Sequence, residues 1–218
     1  MTMDEFAMLM CGVGGQGLVM LSTIVGNACA SAGLRVITGE QHGLSQRSGM
    51  ISIHLRIGND VVSPLIPIGS GDTLLSLEAI ESLRYIEYLK DGGIIISNSR
   101  IMHPVSESGR IIMDKSEKSS GYFGLNEIEQ RLRQVTGNVL FIDAPAIAGE
   151  AGNPLTENVV ILGAMSVLEA FPVATEELAK SVEKIVPPKA KDANLKALKL
   201  GAKAAYERFC KEIPCRMP

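Results

Sequence analysis

The segment from Glu40 to Gly49 concentrates the side chains of this chain that could do chemistry. Its residues, Glu-Gln-His-Gly-Leu-Ser-Gln-Arg-Ser-Gly, contain only one large apolar side chain. The pKa of a histidine lies near neutrality, so His42 could act as a general base, and Arg47 could clamp a phosphate or a carboxylate. The structural alternatives are a histidine that bonds to the loop backbone and an ion pair between Arg47 and Glu40. Ser45 has no base and orienting acid near it in the sequence, which disfavours a nucleophilic role.

A glycine-rich turn precedes this segment. The apolar run from Phe6 to Cys11 predicts a buried strand, and an apolar helical pattern begins at Leu18. Glycines let a backbone turn tightly and approach a ligand closely, and the positive end of the following helix attracts anions. The turn therefore predicts a phosphate-binding loop. Its candidate residues are Gly12, Gly14, Gly15, Gln16 and Gly17.

The spacing of the turn also matches the G-x-G-x-x-G pattern of dinucleotide-binding folds. Glu40 follows the next predicted strand, about where an acid that binds a ribose would sit. A free-standing NAD- or FAD-dependent oxidoreductase is therefore an alternative. The amide of Gln16 inside the turn and the length of the polar segment after Glu40 argue against it.

Alternating strand and helix patterns predict the fold class. We expect a three-layer α/β/α, Rossmann-like mixed sheet, mostly parallel. A turn at Gly58-Asn59-Asp60 predicts an antiparallel hairpin between residues 54–57 and 61–63. We expect one domain over residues 1–218, with a helical extension from about residue 172. The predicted strands are 6–11, 34–38, 50–57, 73–77, 94–98, 109–114 and 139–143, and the predicted helices are 18–32, 78–89, 125–135, 156–170, one from 175, and 192–211.

Composition excludes several classes of function. The net charge is −3, tryptophan is absent and aromatic residues make up 4%, so nucleic acid is not an expected partner. No uncharged run reaches transmembrane length, and Asp4 and Glu5 stand where a signal peptide would be basic. We therefore expect no membrane association and a cytoplasmic location.

The cysteines do not predict a metal centre. The four cysteines lack CxxC spacing, and the histidines do not cluster beside them, so this chain alone is not expected to bind zinc or an iron–sulfur cluster. Cys11 and Cys29 lie in apolar runs and are expected to be buried. A reducing compartment fits this use of cysteine.

Two further patterns leave alternatives open. Gly71-Asp72-Thr73 followed by Asn98 resembles a thiamine diphosphate motif, but threonine replaces the final glycine and begins a predicted strand. The C-terminal region carries an excess of lysine and arginine, which indicates a solvated helix face or a docking surface for an acidic partner. Its basic residues are Lys184, Lys189, Lys191, Lys196, Lys199, Lys203, Arg208 and Lys211.

The two motifs together resemble a known family. The glycine turn, followed by Glu40-x-His42-Gly43-x-Ser45-Gln46-Arg47-x-Gly49, is similar to gamma-type subunits of 2-oxoacid:ferredoxin oxidoreductases, in particular the branch that acts on indolepyruvate. The resemblance extends to roughly residue 185. Ser48 departs from it, because a second glycine is common there. Further matching segments are Arg56-Ile57-Gly58, Ser63-Pro64-Leu65-Ile66-Pro67, and Asn158 ahead of Leu162-Gly163-Ala164.

The resemblance implies a reaction and a division of labour. A 2-oxoacid, coenzyme A and oxidised ferredoxin would give an acyl-CoA, carbon dioxide and reduced ferredoxin. Thiamine diphosphate, magnesium and iron–sulfur clusters would belong to a large alpha subunit, so this chain alone would bind no cofactor and be inactive. It would join a hetero-oligomer and meet ferredoxin through that complex; self-association of the isolated chain and the identity of the 2-oxoacid stay open.

The resemblance also implies where the motifs act. The glycine turn and the 40–49 segment would lie side by side at the carboxyl ends of adjacent strands, facing the large subunit. They would contact coenzyme A phosphates or the partner, with His42 and Arg47 as the weaker catalytic candidates. The residues concerned are Gly12, Gly14, Gly15, Gln16, Gly17, Glu40, Ser45, Gln46 and Arg47.

Overall fold

The computed structural model describes residues 5–43, 49–102, 123–211 and 213–217. Ser45, Gln46 and Arg47, and the strand predicted at 109–114, lie outside these residues. Six strands form one sheet in the order β2-β3-β1-β4-β5-β6. They are β1 (Phe6–Val13), β2 (Val36–His42), β3 (Met50–Ile57), β4 (Gly71–Ser76), β5 (Leu89–Asn98) and β6 (Val139–Ile142).

Helices cover both faces of the sheet, which confirms the three-layer fold. The helices are α1 (Leu18–Ser31), α2 (Ala79–Arg84), α3 (Leu125–Leu132), α4 (Ala144–Ala151), α5 (Glu157–Ser166), α6 (Thr175–Ile185) and α7 (Lys191–Phe209), with 3₁₀ turns at Ile86–Tyr88, Pro154–Thr156 and Pro188–Ala190. The larger apolar core lies under α1, α4, α5, α6 and α7, and the smaller one lies under α2 and α3. β1 is buried between the two cores along most of its length, as its uninterrupted apolar sequence predicts.

The sheet is mixed, as predicted, but its antiparallel strands are not the expected ones. β3 pairs antiparallel with β1 on one side and with β2 on the other, whereas β1, β4, β5 and β6 pair in parallel. Residues 61–63 form no strand. The Arg56 side chain donates to the carbonyl oxygens of Ser63 and Leu65, and the Ile66 N–H donates to Nδ1 of His54. These side-chain bonds anchor the segment and replace the expected strand ladder.

The helix predicted over 78–89 is also shorter than expected. α2 ends at Arg84, a 3₁₀ turn follows, and β5 already begins at Leu89. Gly92 and Gly93, which follow the predicted helix, lie inside β5, where Gly92 has a φ of 68°. The pairing of β4 with β5 shifts register near this point. The apolar residues at 85–89 therefore pack beneath a turn and a strand start rather than on a helix face.

The cysteines divide into a buried pair and a bonded pair. Cys11 and Cys29 are free and buried, as predicted, and burial raises the pKa of both thiols, that of Cys29 to about 12. Cys210 and Cys215 form a disulfide that the sequence did not predict. The tail beyond it is held by Arg216, which donates to the carbonyl oxygens of Glu169 and Phe171.

Among the described helices, none is both long and apolar enough to cross a lipid bilayer.

A buried histidine should make the stability of the fold pH-dependent. His54 is 1% exposed, and burial lowers its pKa below 6.5. The unfolded chain therefore takes up a proton at a higher pH than the folded chain does. We expect this contribution to stability to be complete above about pH 6.5 and to fall, by at most about 1.4 kcal/mol per pH unit, as the pH drops towards the folded pKa.

Urea unfolding of wild type and His54→Gln at pH 7.5 and 5.5 tests this. The stability advantage of the wild type should shrink at the lower pH, because only the wild type loses this contribution. A His42→Gln variant is the matched control, since His42 is exposed. An advantage that is constant over this range would show that the protonation of His54 is not coupled to folding.

Candidate functional site

A cleft opens where the chain changes direction across the sheet. From β1 the chain runs outward to the edge strand β2 and returns to β3 beside β1, and β4, β5 and β6 follow on the other side of β1. Ligands of open α/β sheets bind at such a switch point, outside the carboxyl ends of the strands. The cleft has a volume of about 380 Å³. It is lined by Gly14, Gly15, Gln16, Leu77, Asn98, Arg100, Met102, Pro154, Leu155, Glu157 and Asn158.

The glycine turn forms one wall of the cleft. Gly15 and Gly17 have φ values of 94° and 82°, which L-residues with side chains rarely adopt. The side chain of Gln16 accepts a hydrogen bond from the Val13 N–H at 2.7 Å and donates to the carbonyl of Leu77 at 2.9 Å. Gln16 therefore ties the end of β1 to the end of β4. Its role is to hold the wall in place.

Helix α1 begins directly behind this turn. Gly17 occupies its N-cap, no side chain caps the helix, and its first turn contains no acid. The first N–H groups of a helix lack partners within the helix, and the positive end of the helix dipole lies beside them. This end of α1 is therefore favourable for a negatively charged group.

The start of α5 forms the opposite wall and touches the turn. Asn158 is 5% exposed and donates from Nδ2 to the carbonyl of Gly17 at 3.4 Å. A Cβ atom added to Gly17 would lie only 2.4 Å from that nitrogen. The absence of a side chain at Gly17 thus lets the beginnings of α1 and α5 converge.

An ion pair crosses the cleft from the end of β5 to the start of α5. Nη1 of Arg100 lies 2.9 and 3.1 Å from the two carboxylate oxygens of Glu157. Nδ2 of Asn98 donates to the same carboxylate at 3.2 Å and to the carbonyl of Leu77 at 3.3 Å. Asn98 is buried, whereas half of the Arg100 side chain is exposed. Within the cleft, the Arg100 guanidinium, the Glu157 carboxylate and the Asn98 amide therefore form one hydrogen-bonded network.

The rim of the cleft is apolar and exposed. Leu155 is 86% exposed and Met102 is 41% exposed, and both line the opening. Two large apolar side chains are therefore exposed to solvent at the mouth of a polar cleft.

Glu40 and His42 do not reach the cleft. β2 extends to His42, beyond the predicted end at residue 38, so both residues lie on a strand, with Nε2 of His42 3.3 Å from a carboxylate oxygen of Glu40. Both side chains are substantially exposed. Because β3 lies between β2 and β1, Glu40 is two strand spacings, roughly 10 Å, from β1. A ribose-binding acid would stand next to β1, so the dinucleotide geometry is not formed.

The expected contact between the two motifs is present, but the strands that carry them are not neighbours. The Gly14 N–H donates to the carbonyl of Gly49 at 2.8 Å, which joins the end of the 40–49 segment to the glycine turn. β1 and β2 were expected to be adjacent; the inserted β3 makes this prediction wrong.

The residues of the thiamine-like pattern lie at opposite ends of two neighbouring strands. Asp72 lies at the start of β4, where it accepts a hydrogen bond from the Ala7 N–H and pairs with Lys90. Asn98 lies at the end of β5. Since β4 and β5 are parallel, the start of β4 and the end of β5 lie at opposite ends of the strands, so Asp72 and Asn98 are separated by the length of the strands. Within the described ranges, no group of three or more histidine, cysteine or acidic residues could hold a metal ion.

The three side chains that form the charged network of the cleft, those of Asn98, Arg100 and Glu157, were not predicted as site residues. In the sequence, Asn98 belongs only to the thiamine-like pattern, and Arg100 and Glu157 belong to no motif. The position of Asn98 and Arg100, directly at and after the end of a buried strand, is the signal that could have identified them. Glu157 carries no such signal, because its role depends on a contact across 57 positions of the chain.

Comparisons with known proteins identify the family. Residues 7–204 match the family model described as pyruvate ferredoxin/flavodoxin oxidoreductase. The chain is 40% identical to an indolepyruvate oxidoreductase subunit IorB of Pyrococcus horikoshii over 94% of this chain and 98% of the relative. It is 33% identical to the subunit of that name from Methanothermobacter thermautotrophicus, over 93% and 99% of the two chains.

Solved structures share the fold. A keto/oxoacid ferredoxin oxidoreductase gamma subunit from Geobacter sulfurreducens superposes with a TM-score of 0.67 at 21% identity, covering 94% of this chain and 98% of that one. A 2-oxoglutarate:ferredoxin oxidoreductase from Magnetococcus marinus, solved with 2-oxoglutarate, coenzyme A and succinyl-CoA bound, matches with a TM-score of 0.68 at 17% identity. That match covers 99% of this chain but 33% of the other, so the same fold also occurs as one part of a longer chain.

The chain therefore belongs to the pyruvate ferredoxin/flavodoxin oxidoreductase family, as a small subunit of a 2-oxoacid:ferredoxin oxidoreductase.

Proposed function

We propose that this subunit completes the coenzyme A site of a complex that oxidises indolepyruvate or a related arylpyruvate. The substrate is inferred from relatives that are named indolepyruvate oxidoreductase subunits. Thiamine diphosphate, magnesium and iron–sulfur clusters belong, in this proposal, to a large partner subunit, which carries out the decarboxylation and passes electrons to ferredoxin. This chain binds and orients an anionic part of coenzyme A.

The observation that carries the proposal is the combination of groups in the cleft. The glycine turn brings backbone close to the cleft, α1 begins beside it without an acid, and Arg100 lies in its wall. These features favour phosphate, the strongest anionic group of coenzyme A. Coenzyme A is one of the ligands named for the longer protein from Magnetococcus marinus, and this supports the same assignment.

The exposed rim supports a site shared with the partner. Leu155 and Met102 surround the opening and would be covered when the large subunit docks. Docking there would place the cleft against the partner's active site and exclude water from it. Gly49, which bonds to the turn, lies at the same end of the sheet, and in this proposal it lies near the partner.

Gly15→Ala tests this site with little disturbance of the fold. A Cβ atom at Gly15 would meet nothing within 4 Å, so the cost is the left-handed backbone, roughly 1–2 kcal/mol, and a methyl group in the cleft wall. In the co-expressed complex we expect the KM for coenzyme A to rise about tenfold or more while the KM for indolepyruvate stays unchanged. Gly33→Ala is the matched control, because Gly33 also has a positive φ and open space but lies at the far end of α1.

An unchanged KM for coenzyme A, in a complex that still assembles, would contradict the proposed site. If the subunit were only a scaffold, Gly15→Ala could reduce the amount of complex that assembles, but the assembled complex would show normal kinetics. The free-standing NAD-dependent alternative is not favoured, because Glu40 stands away from the turn. Oxidation of indolepyruvate, pyruvate and 2-oxoglutarate by the purified complex would identify the substrate.

A cytoplasmic location stays a prediction. It can be checked through the disulfide, by alkylating thiols in rapidly quenched cells and measuring the masses of peptides that contain Cys210 and Cys215. Reduced cysteines would agree with a reducing compartment, and a fully oxidised pair would contradict it.

A further inference from the structure

Arg100 and Glu157 form a charge pair inside the cleft whose two members are held very differently. Glu157 is the first residue of α5, where the helix dipole favours a negative charge, and its side chain is 16% exposed. The buried Asn98 side chain donates to it as well. Its carboxylate is therefore fixed by the fold whether or not Arg100 is present.

Arg100 is fixed at its backbone but not at its guanidinium. Its N–H donates to Oδ1 of Asn98 at 3.3 Å, while its side chain is 47% exposed. Among the described residues, the guanidinium donates through Nη1 alone, which is shared between the two oxygens of Glu157. A guanidinium binds a carboxylate or a phosphate most strongly through two parallel N–H bonds. The Arg100–Glu157 pair lacks this arrangement, because only Nη1 contacts the carboxylate.

We propose that Arg100 is the anion-binding residue of the cleft and that Glu157 occupies it until a ligand arrives. A phosphate or carboxylate that enters between the glycine turn and α5 takes over the guanidinium with two parallel hydrogen bonds. Glu157 keeps its hydrogen bond from Asn98 and its place at the helix start, and both stabilise its carboxylate after the exchange. Glu157 thereby weakens the binding of anions that cannot form both bonds.

This inference rests on the proposed function, because it assumes that the cleft binds an anionic substrate of the complex. Two substrates carry such a group: coenzyme A through its phosphates, and the 2-oxoacid through its carboxylate. The shared chemistry is a small oxyanion, and steady-state kinetics on each substrate distinguish the two sources.

The test compares Arg100→Gln and Glu157→Gln in the assembled complex. Arg100→Gln should raise the KM for one anionic substrate about tenfold or more and change kcat less than about twofold. Glu157→Gln should lower the same KM several-fold, because it releases the guanidinium and removes a repulsive charge from the cleft. Arg100→Lys keeps the charge and should recover part of the loss.

Changes of KM in opposite directions in the two variants distinguish a role in ligand binding from a structural role. If the pair only stabilised the fold, both variants would lower the thermal midpoint and shift the KM in the same direction, and this would overturn the inference. Arg133→Gln is the matched control, since Arg133 forms an exposed pair with Glu129 on α3, outside the cleft.

The inference and the proposed function can fail separately. If Gly15→Ala raises the KM for coenzyme A and Arg100→Gln does not alter either KM, the coenzyme A site stands and the role of Arg100 is wrong. If Arg100→Gln and Glu157→Gln move the KM for the 2-oxoacid in opposite directions while Gly15→Ala leaves coenzyme A unaffected, the anion subsite stands and the coenzyme A assignment fails.

Discussion

Replacing Gly201 by alanine should lower the unfolding free energy by roughly 3 kcal/mol or more. Gly201 lies on α7 where it crosses α5, and an added Cβ would stand 2.0 Å from the carbonyl oxygen of Val160. The reciprocal contact occurs at Gly163 on α5, whose Cβ would stand 2.1 Å from the carbonyl oxygen of Leu198. Backbone cannot move aside as a flexible side chain can, so the helices must separate and the larger core must open.

The consequence reaches the cleft, because α5 begins there. A displaced α5 would move Asn158 and Glu157, so Gly201→Ala should also impair the assembled complex. Urea unfolding with Gly26→Ala as control checks the first effect. Gly26 lies within α1 and a Cβ there meets nothing within 4 Å, so this variant should gain up to about 1 kcal/mol from helix propensity. Equal effects of the two substitutions would show that the close crossing does not govern stability.

The strands that form the centre of the sheet could be predicted because their signal is local. β1 is apolar on both faces, and β3 alternates between apolar residues and Ser52, His54 and Arg56. That alternation is typical of an antiparallel strand with one polar face, and it was available from the sequence. What the pattern does not encode is the neighbour of each strand. The insertion of β3 between β1 and β2 therefore escaped prediction.

The same distinction explains the outcome for the site. The glycine turn can be recognised because its residues are consecutive, and Gly14, Gly15 and Gln16 line the cleft. Glu40 was placed by analogy with a sheet order that this chain does not have. The pair of Arg100 and Glu157 joins the end of β5 to the start of α5, so no periodicity or spacing could reveal it. The chemistry of the cleft emerges only when the strands are arranged in space.

Replacing Gly17 by alanine should couple a loss of stability to a loss of function. The left-handed backbone at Gly17 costs roughly 1–2 kcal/mol with a side chain present. The contact of 2.4 Å between the new Cβ and Nδ2 of Asn158 adds a further cost, roughly 1–3 kcal/mol. Relief requires the Asn158 amide to turn away, which breaks its bond to the Gly17 carbonyl, or α1 and α5 to move apart, which widens the cleft. We expect Gly17→Ala to be less stable than Gly15→Ala, which shares the positive φ but meets no neighbour.

A double-mutant cycle separates the two costs. Asn158→Ala removes the amide that the new methyl group would strike, so the double variant should be at least about 1 kcal/mol more stable than the sum of the single effects predicts. The loss caused by Gly17→Ala in the Asn158→Ala background then measures the backbone strain alone. Strict additivity would mean that α1 and α5 do not meet through these two residues. Positive coupling, accompanied by partial recovery of the KM for coenzyme A, would show that their convergence sets the width of the cleft.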